Sequence, residues 1–233
     1  MYKRRFIIKG NFFEMKSLLT FSGLLLFVFS SCEPSQSPSK ELVKESPKSE
    51  FDKATYDLVT SGAENLILSY EVLLNRLLAE NISKEERDEQ VHESIYSKEK
   101  INQIFDNPDV IIEDDISPDF YLNEKVKDLK VSRYLSDLYL FLEKDKANSV
   151  KFDNIKTLQI KEGKEVFVIV YFESRITGVH SLESFSYEKT KRIATIKAEK
   201  KAAIWTYSIM SVNFYEMSTV NNDFNLAKAK KMI

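Results

Sequence analysis

The chain has 233 residues, 43% of them apolar and 12% aromatic, with 34 basic and 36 acidic residues, one cysteine and two histidines. This is enough apolar surface for one core but not for two large domains, and it excludes an internal disulfide and a histidine-rich metal centre. The net charge of −2 falls to about −6 once the basic residues 1–31 are set aside, which argues against a nucleic-acid partner because phosphates call for a basic face.

Lys3, Arg4, Arg5 and Lys9 precede an almost unbroken apolar run from Leu18 to Phe29. A run of roughly a dozen residues is too short for a hydrocarbon core that needs about 20 residues of helix, so residues 1–31 read as an export signal peptide. Met15-Lys16 serves equally well as the start. The run ends in Phe29-Ser30-Ser31-Cys32, which resembles the lipobox of bacterial lipoproteins, with Phe29 where that family usually has Leu or another aliphatic residue. The resemblance implies that Cys32 carries lipid and begins the mature chain; the competing reading is a signal-peptide cysteine removed by an ordinary peptidase. Two or more acyl chains, at about 0.8 kcal/mol per buried methylene, hold a protein stably on a bilayer. The implied address is the bacterial cell envelope, anchored to a membrane, with the leaflet open. Residues 32–50, rich in Ser, Pro, Glu and Lys, bury too little to fold and read as the lipidated cysteine and a flexible tether.

Apolar residues recur at helical spacing from Tyr56 to Leu78, most densely from Leu66 onward, and predict a long helix with a broad buried face. Gly62 is expected to soften it, since glycine costs about 1 kcal/mol in a helix interior, and Asn81 to end it. Ser83 to Glu86 has the spacing of a capping box, so a second helix begins there with Val91 and Ile95 on one face. A short helical turn at Ile101, Ile104 and Phe105 follows, then turn chemistry at Asp106-Asn107-Pro108-Asp109 and a short strand at Val110–Ile112. A third helical pattern runs from Asn123 to Lys144, with Val131, Leu135, Leu138 and Leu142 on one stripe. From Val150 the period changes to that of strands. Val150 to Ile160 carries a bulge near Asp153-Asn154, Glu162-Gly163 closes a hairpin into Val166–Phe172, and Arg175–Tyr187 is a loop. Lys191–Lys200 and Ala203–Tyr215 are the last strands, and residues 216–233 read as a weakly ordered tail or short helix.

Helices followed by a run of antiparallel strands give an α+β class. In this order, and in segments such as Asp109–Asp115, Val131–Leu135 and Trp205–Ile209, the chain from Phe51 to Tyr215 resembles the nuclear transport factor 2-like superfamily. The resemblance implies N-terminal helices packed against a curved antiparallel sheet in a cone, often with an apolar pocket at its open end.

Catalytic signatures are sparse. His92 and His180 are expected to be exposed, no serine sits in a nucleophile motif, and no glycine-rich phosphate loop is present. The acidic cluster Glu113, Asp114, Asp115 and Asp119 lacks the spacing of a calcium loop and reads as a solvated strand end, so no metal and no cofactor are expected. Tyr134, Asp137, Tyr171, Arg192 and Tyr207 are the polar groups that a cone would turn into a pocket, with Tyr134 and Asp137 on one helix face. The plainer reading, which is preferred, packs the tyrosines in the core with their hydroxyls reaching solvent and leaves Asp137 and Arg192 as surface charges. The expectation is a membrane-tethered, non-catalytic domain that binds a protein, a peptide or a small apolar ligand, with its oligomeric state open. The runner-up is a pocket enzyme, isomerase- or hydrolase-like, using Asp137, and a third reading is an assembly module pairing through exposed strands.

Overall fold

The computed structural model describes residues 51–97, 102–123, 125–142, 147–181 and 186–215. The expected signal peptide, Cys32, the tether, Ile101, Lys144 and the tail from 216 onward lie outside them.

Helix α1, Lys53–Leu77, starts at Asp52, whose carboxylate accepts the Thr55 N–H at 2.7 Å. Val59, Ala63, Leu66, Ile67, Tyr70, Leu73, Leu74 and Leu77 form its buried stripe. The helix runs through Gly62 without a break. A Cβ there would lie 2.2 Å from Cζ of Tyr207, so the glycine marks a close approach rather than a weak point. Helix α2, Lys84–Tyr96, carries the capping box, with Ser83 N–H donating to Glu86 at 2.8 Å and Glu86 N–H to Ser83 at 3.1 Å.

The expected helical turn at Ile104 and Phe105 is instead extended. Both N–H groups donate to the Ser94 carbonyl, and Phe105 bridges Ile209, so helix end and sheet take the backbone groups a turn would need. The third helix is also shorter than its apolar spacing suggests. Strand β1, Ile111–Glu113, is followed by α3, Pro118–Asn123, then by β2, Asp128–Lys130, and only then by α4, Val131–Phe141. Pairing of β2 with β1 claims a stretch whose side chains fit a helix equally well.

Strands β3 (Ser149–Lys161), β4 (Val166–Thr177), β5 (Thr190–Lys201) and β6 (Ile204–Phe214) form the expected antiparallel meander. The register of β3 slips between Asp153 and Lys156, with Asn154 at φ 53°, which places the bulge where the sequence predicted it. The whole sheet is mixed rather than antiparallel, in the order β2-β1-β6-β5-β4-β3, because β1 lies parallel to β6. The intervening elements give the chain enough length to return in the same direction.

The domain is therefore α+β, with α1 laid against the meander. Tyr70 sits at the centre, its ring 5.5 Å from Phe105 and 5.4 Å from Phe152, which in turn packs on Phe172 at 4.6 Å. Strand β3 is an edge, yet it is not bare. Asn75 of α1 accepts the Val150 N–H at 2.9 Å and donates to its carbonyl at 2.7 Å. Glu71 accepts the Phe152 N–H at 2.6 Å, and Glu64 that of Thr157 at 2.8 Å. This stretch of the edge is thus closed by side chains of the first helix.

Candidate functional site

The β1–α3 connection, expected to be a solvated acidic end, is buried. Asp114 and Asp115 are 4% and 2% exposed, and Arg192 is 1% exposed, so neither that reading nor the reading of Arg192 as a surface charge holds. Asp114 turns its carboxylate back on its own chain, accepting the N–H groups of Ile116 and Ser117 at 2.9 and 3.1 Å. Burial pushes its pKa up against these two bonds, and the nearby charges of Asp115 and Asp137 add to the rise.

Asp115 is the hub. Its Oδ1 accepts the Tyr134 hydroxyl at 2.9 Å, and its Oδ2 accepts Thr190 Oγ1 at 3.1 Å and lies 2.9 Å from Arg192 Nη1. The Nη1 contact is an ion pair off the N–H direction, so Arg192 is fixed mainly by its Nη2, which donates to the Glu113 carbonyl at 2.6 Å. The guanidinium also lies over the Phe214 ring, 4.4 Å from its centroid. Burial is the largest influence and acts to lower the Arg192 pKa, but Asp115, Tyr134, Tyr70 and Glu113 together outweigh it and the net shift is upward.

A ring of phenols closes this centre. Tyr121 donates to the Asp115 carbonyl at 2.9 Å and Tyr187 to that of Ile116 at 3.3 Å. Burial first, then the Asp115 charge, hold the hydroxyls of Tyr121, Tyr134 and Tyr187 well above the ordinary phenol range; burial does the same for Tyr70. Tyr121, Tyr134 and Tyr187 are fixed as donors. The arrangement can stabilise a buried carboxylate.

Of the expected pocket residues, only Tyr134 and Arg192 meet, through Asp115. Asp137 is buried at 5% rather than a surface charge, and its carboxylate is clamped by Arg133 one turn earlier, at 2.8 to 2.9 Å. Tyr171 lies on the opposite sheet face, where its hydroxyl donates to Glu173 at 3.0 Å and Lys156 sits over its ring. Burial and then Glu173 push its pKa up to about 12. Tyr207 packs on Gly62 and donates to the Leu58 carbonyl at 3.3 Å, seven residues, or about 23 Å of strand, from Phe214.

Sequence reasoning missed Asp115, Thr190, Tyr70, Tyr121 and Tyr187. One signal was present: Arg192 alternates in phase with Ala194, Ile196 and Ala198, all buried, so it belongs to the core face of β5. His180, expected to be exposed, is 3% exposed and stacks on Phe141 at 5.2 Å while pairing with Leu142. His92 is exposed beside Tyr96.

A separate groove of about 470 Å³ lies between Leu77 at the end of α1 with Leu78 and Glu80 just beyond it, Arg87 of α2, Tyr139 of α4 with Leu142 just past its end, and Asn148. Arg87 shapes its wall, donating to the Leu77 and Ala79 carbonyls and lying 4.8 Å from the Tyr139 ring centroid. Among the described residues, no helix is long and apolar enough to cross a membrane, and no group of His, Cys, Asp and Glu could hold a metal ion.

No protein-family model matches the chain, and no curated protein matches its sequence. Among solved structures it is similar to the crystal structure of the Kfla4162 protein from Kribbella flavida, at 11% identity over 69% of this chain and 90% of that one, with a TM-score of 0.35. A likeness of that size assigns neither fold nor function.

Proposed function

We propose that the chain is a lipid-anchored protein of the bacterial cell envelope whose α+β domain is a nuclear transport factor 2-like cone acting as a non-catalytic binding scaffold. The observation that carries the non-catalytic part is the closure of the polar centre. Both Asp115 oxygens, Arg192 Nη2 and the surrounding phenols are spent on one another and on backbone, with Asp115 and Arg192 at most 2% exposed. A group so engaged positions elements instead of meeting substrate. The cone is supported by element order, by α1 lying against the meander, and by the bulges that bend its strands. The anchor is supported by the basic start, the apolar run and Ser30-Ser31-Cys32.

The groove beside Arg87 and Tyr139 is where a peptide or small apolar ligand would dock, its Leu77, Leu78 and Leu142 interleaved with the polar Glu80, Arg87 and Asn148. The pocket-enzyme reading draws no support from Asp137, whose carboxylate is taken by Arg133. Two measurements test the proposal. Labelled palmitate is expected in the membrane-bound chain and lost in Cys32→Ala; an unlabelled, membrane-free chain would overturn the anchor. A solvatochromic apolar dye is expected to bind the chain and to be lost in Leu78→Lys; unchanged binding would remove the groove from the proposal.

A further inference from the structure

Helix α1 carries a second stripe opposite its buried one. Ala54, Leu58, Ser61, Asn65, Leu68 and Val72 are all exposed and are spaced four, three, four, three and four residues apart. Leu58, Leu68 and Val72 are 55%, 43% and 49% exposed, a concentration of apolar surface that a solvated helix face does not need. The spacing is that of a coiled-coil seam, with Leu58, Asn65 and Val72 as one set of positions and Ala54, Ser61 and Leu68 as the other.

We infer that this seam is an interface in which α1 packs antiparallel against α1 of a second copy of the chain. The seam is self-complementary in that direction. When one set of positions meets the other, Leu58 faces Leu68, Val72 faces Ala54 and Asn65 faces Ser61, so apolar groups meet apolar groups and the amide meets the hydroxyl. A parallel pair would also match like with like, Ser61 on Ser61 and Asn65 on Asn65, so the direction is decided by the helix ends. In the antiparallel pair Arg76, exposed at the end of one α1, comes within a turn of the exposed Asp52 at the start of the other, and the two helix dipoles oppose. A bilayer surface fits less well, because between Lys53 and Arg76 the helix has three acidic residues, Asp57, Glu64 and Glu71, and no basic one, whereas surface-lying helices carry Lys and Arg.

A single helix seam buries less than the roughly 1,200 Å² of a standard interface, so the pair belongs to the weak, reversible class. The test therefore traps it. In the full chain carrying Cys32→Ser, Leu58→Cys with Leu68→Cys is expected to cross-link to a covalent dimer on mild oxidation, whereas each cysteine alone stays monomeric, because like positions are held several residues apart. Ala54→Cys with Val72→Cys is an independent pair with the same expectation. Adding Leu68→Glu should cut that second cross-link at least tenfold, and an unchanged melting curve would show that the fold survives. Failure of both double variants to cross-link, or equal cross-linking by the single cysteines, would overturn the interface. So would seam thiols that phosphatidylglycerol vesicles protect from a maleimide while no dimer forms, which would assign the stripe to the membrane.

Discussion

Replacing Asp115 by asparagine removes the one negative charge that faces Arg192 at 2.9 Å in a site where both are 2% exposed on their side chains. The asparagine oxygen can still accept the Tyr134 hydroxyl, so the loss is dominated by the buried guanidinium deprived of its nearest counter-charge, with the Glu113 carboxylate the remaining one nearby. Breaking one side of such a pair costs about 3–5 kcal/mol, about a fifth or more of an ordinary domain's stability of about 5–15 kcal/mol. Arg192→Met should cost less, because an isolated carboxyl can neutralise itself by taking a proton and still hold Tyr134 and Thr190, whereas an isolated guanidinium cannot shed one. The double variant should be more stable than the sum of the singles by about 2–3 kcal/mol. Urea unfolding followed by far-ultraviolet circular dichroism reads all three. Losses below about 1 kcal/mol in Asp115→Asn, or additive singles, would refute the pairing as the centre of this end of the domain.

Gly62→Ala should destabilise by about 1–3 kcal/mol through overpacking on the Tyr207 ring, and pairing it with Tyr207→Ala should recover most of the loss in a thermal melt. Ala202 holds φ 56° in the β5–β6 turn, so Ala202→Gly should raise stability by about 0.5–1 kcal/mol, read by the same melt. Glu173 is held down to a pKa of about 2 by Lys189, then Tyr171 and Asn154. A depressed carboxylate adds stability that is complete above its unfolded value of 4.5 and lost as the pH falls toward 2, so Glu173→Gln should flatten that acid limb in a pH series of unfolding curves. An acid limb unchanged in the variant would contradict the assignment.

How legible each element was follows from how local its cause is. Helix α1 and the four-strand meander rest on periodicity within the element, and the capping box of Ser83 and Glu86 on residues three apart, so a single stretch of chain declares them. Strand β2 is decided by pairing with β1, and no property of Asp128 to Lys130 alone says strand. The polar centre is the extreme case. Thr190 reaches Asp115 across 75 residues, and four acidic residues within seven positions look like a solvated surface until the cation that meets one of them is placed. Asp137 illustrates the converse: its partner Arg133 is one helical turn away, yet the burial of that turn depends on what α4 packs against.

The side chains that α1 lends to the edge of β3 also set an order of events. Asn75, Glu71 and Glu64 meet backbone groups 75, 81 and 93 residues further along the chain. These contacts close large loops, so they form late in folding and contribute little to its earliest collapse. Synthesis, however, runs from the N-terminus, and α1 is complete before the first residue of β3 exists. The cover for a strand prone to pair with neighbouring chains is therefore made before the strand it protects, and the interval in which that edge lies bare is limited to the time β3 needs to find a helix already waiting.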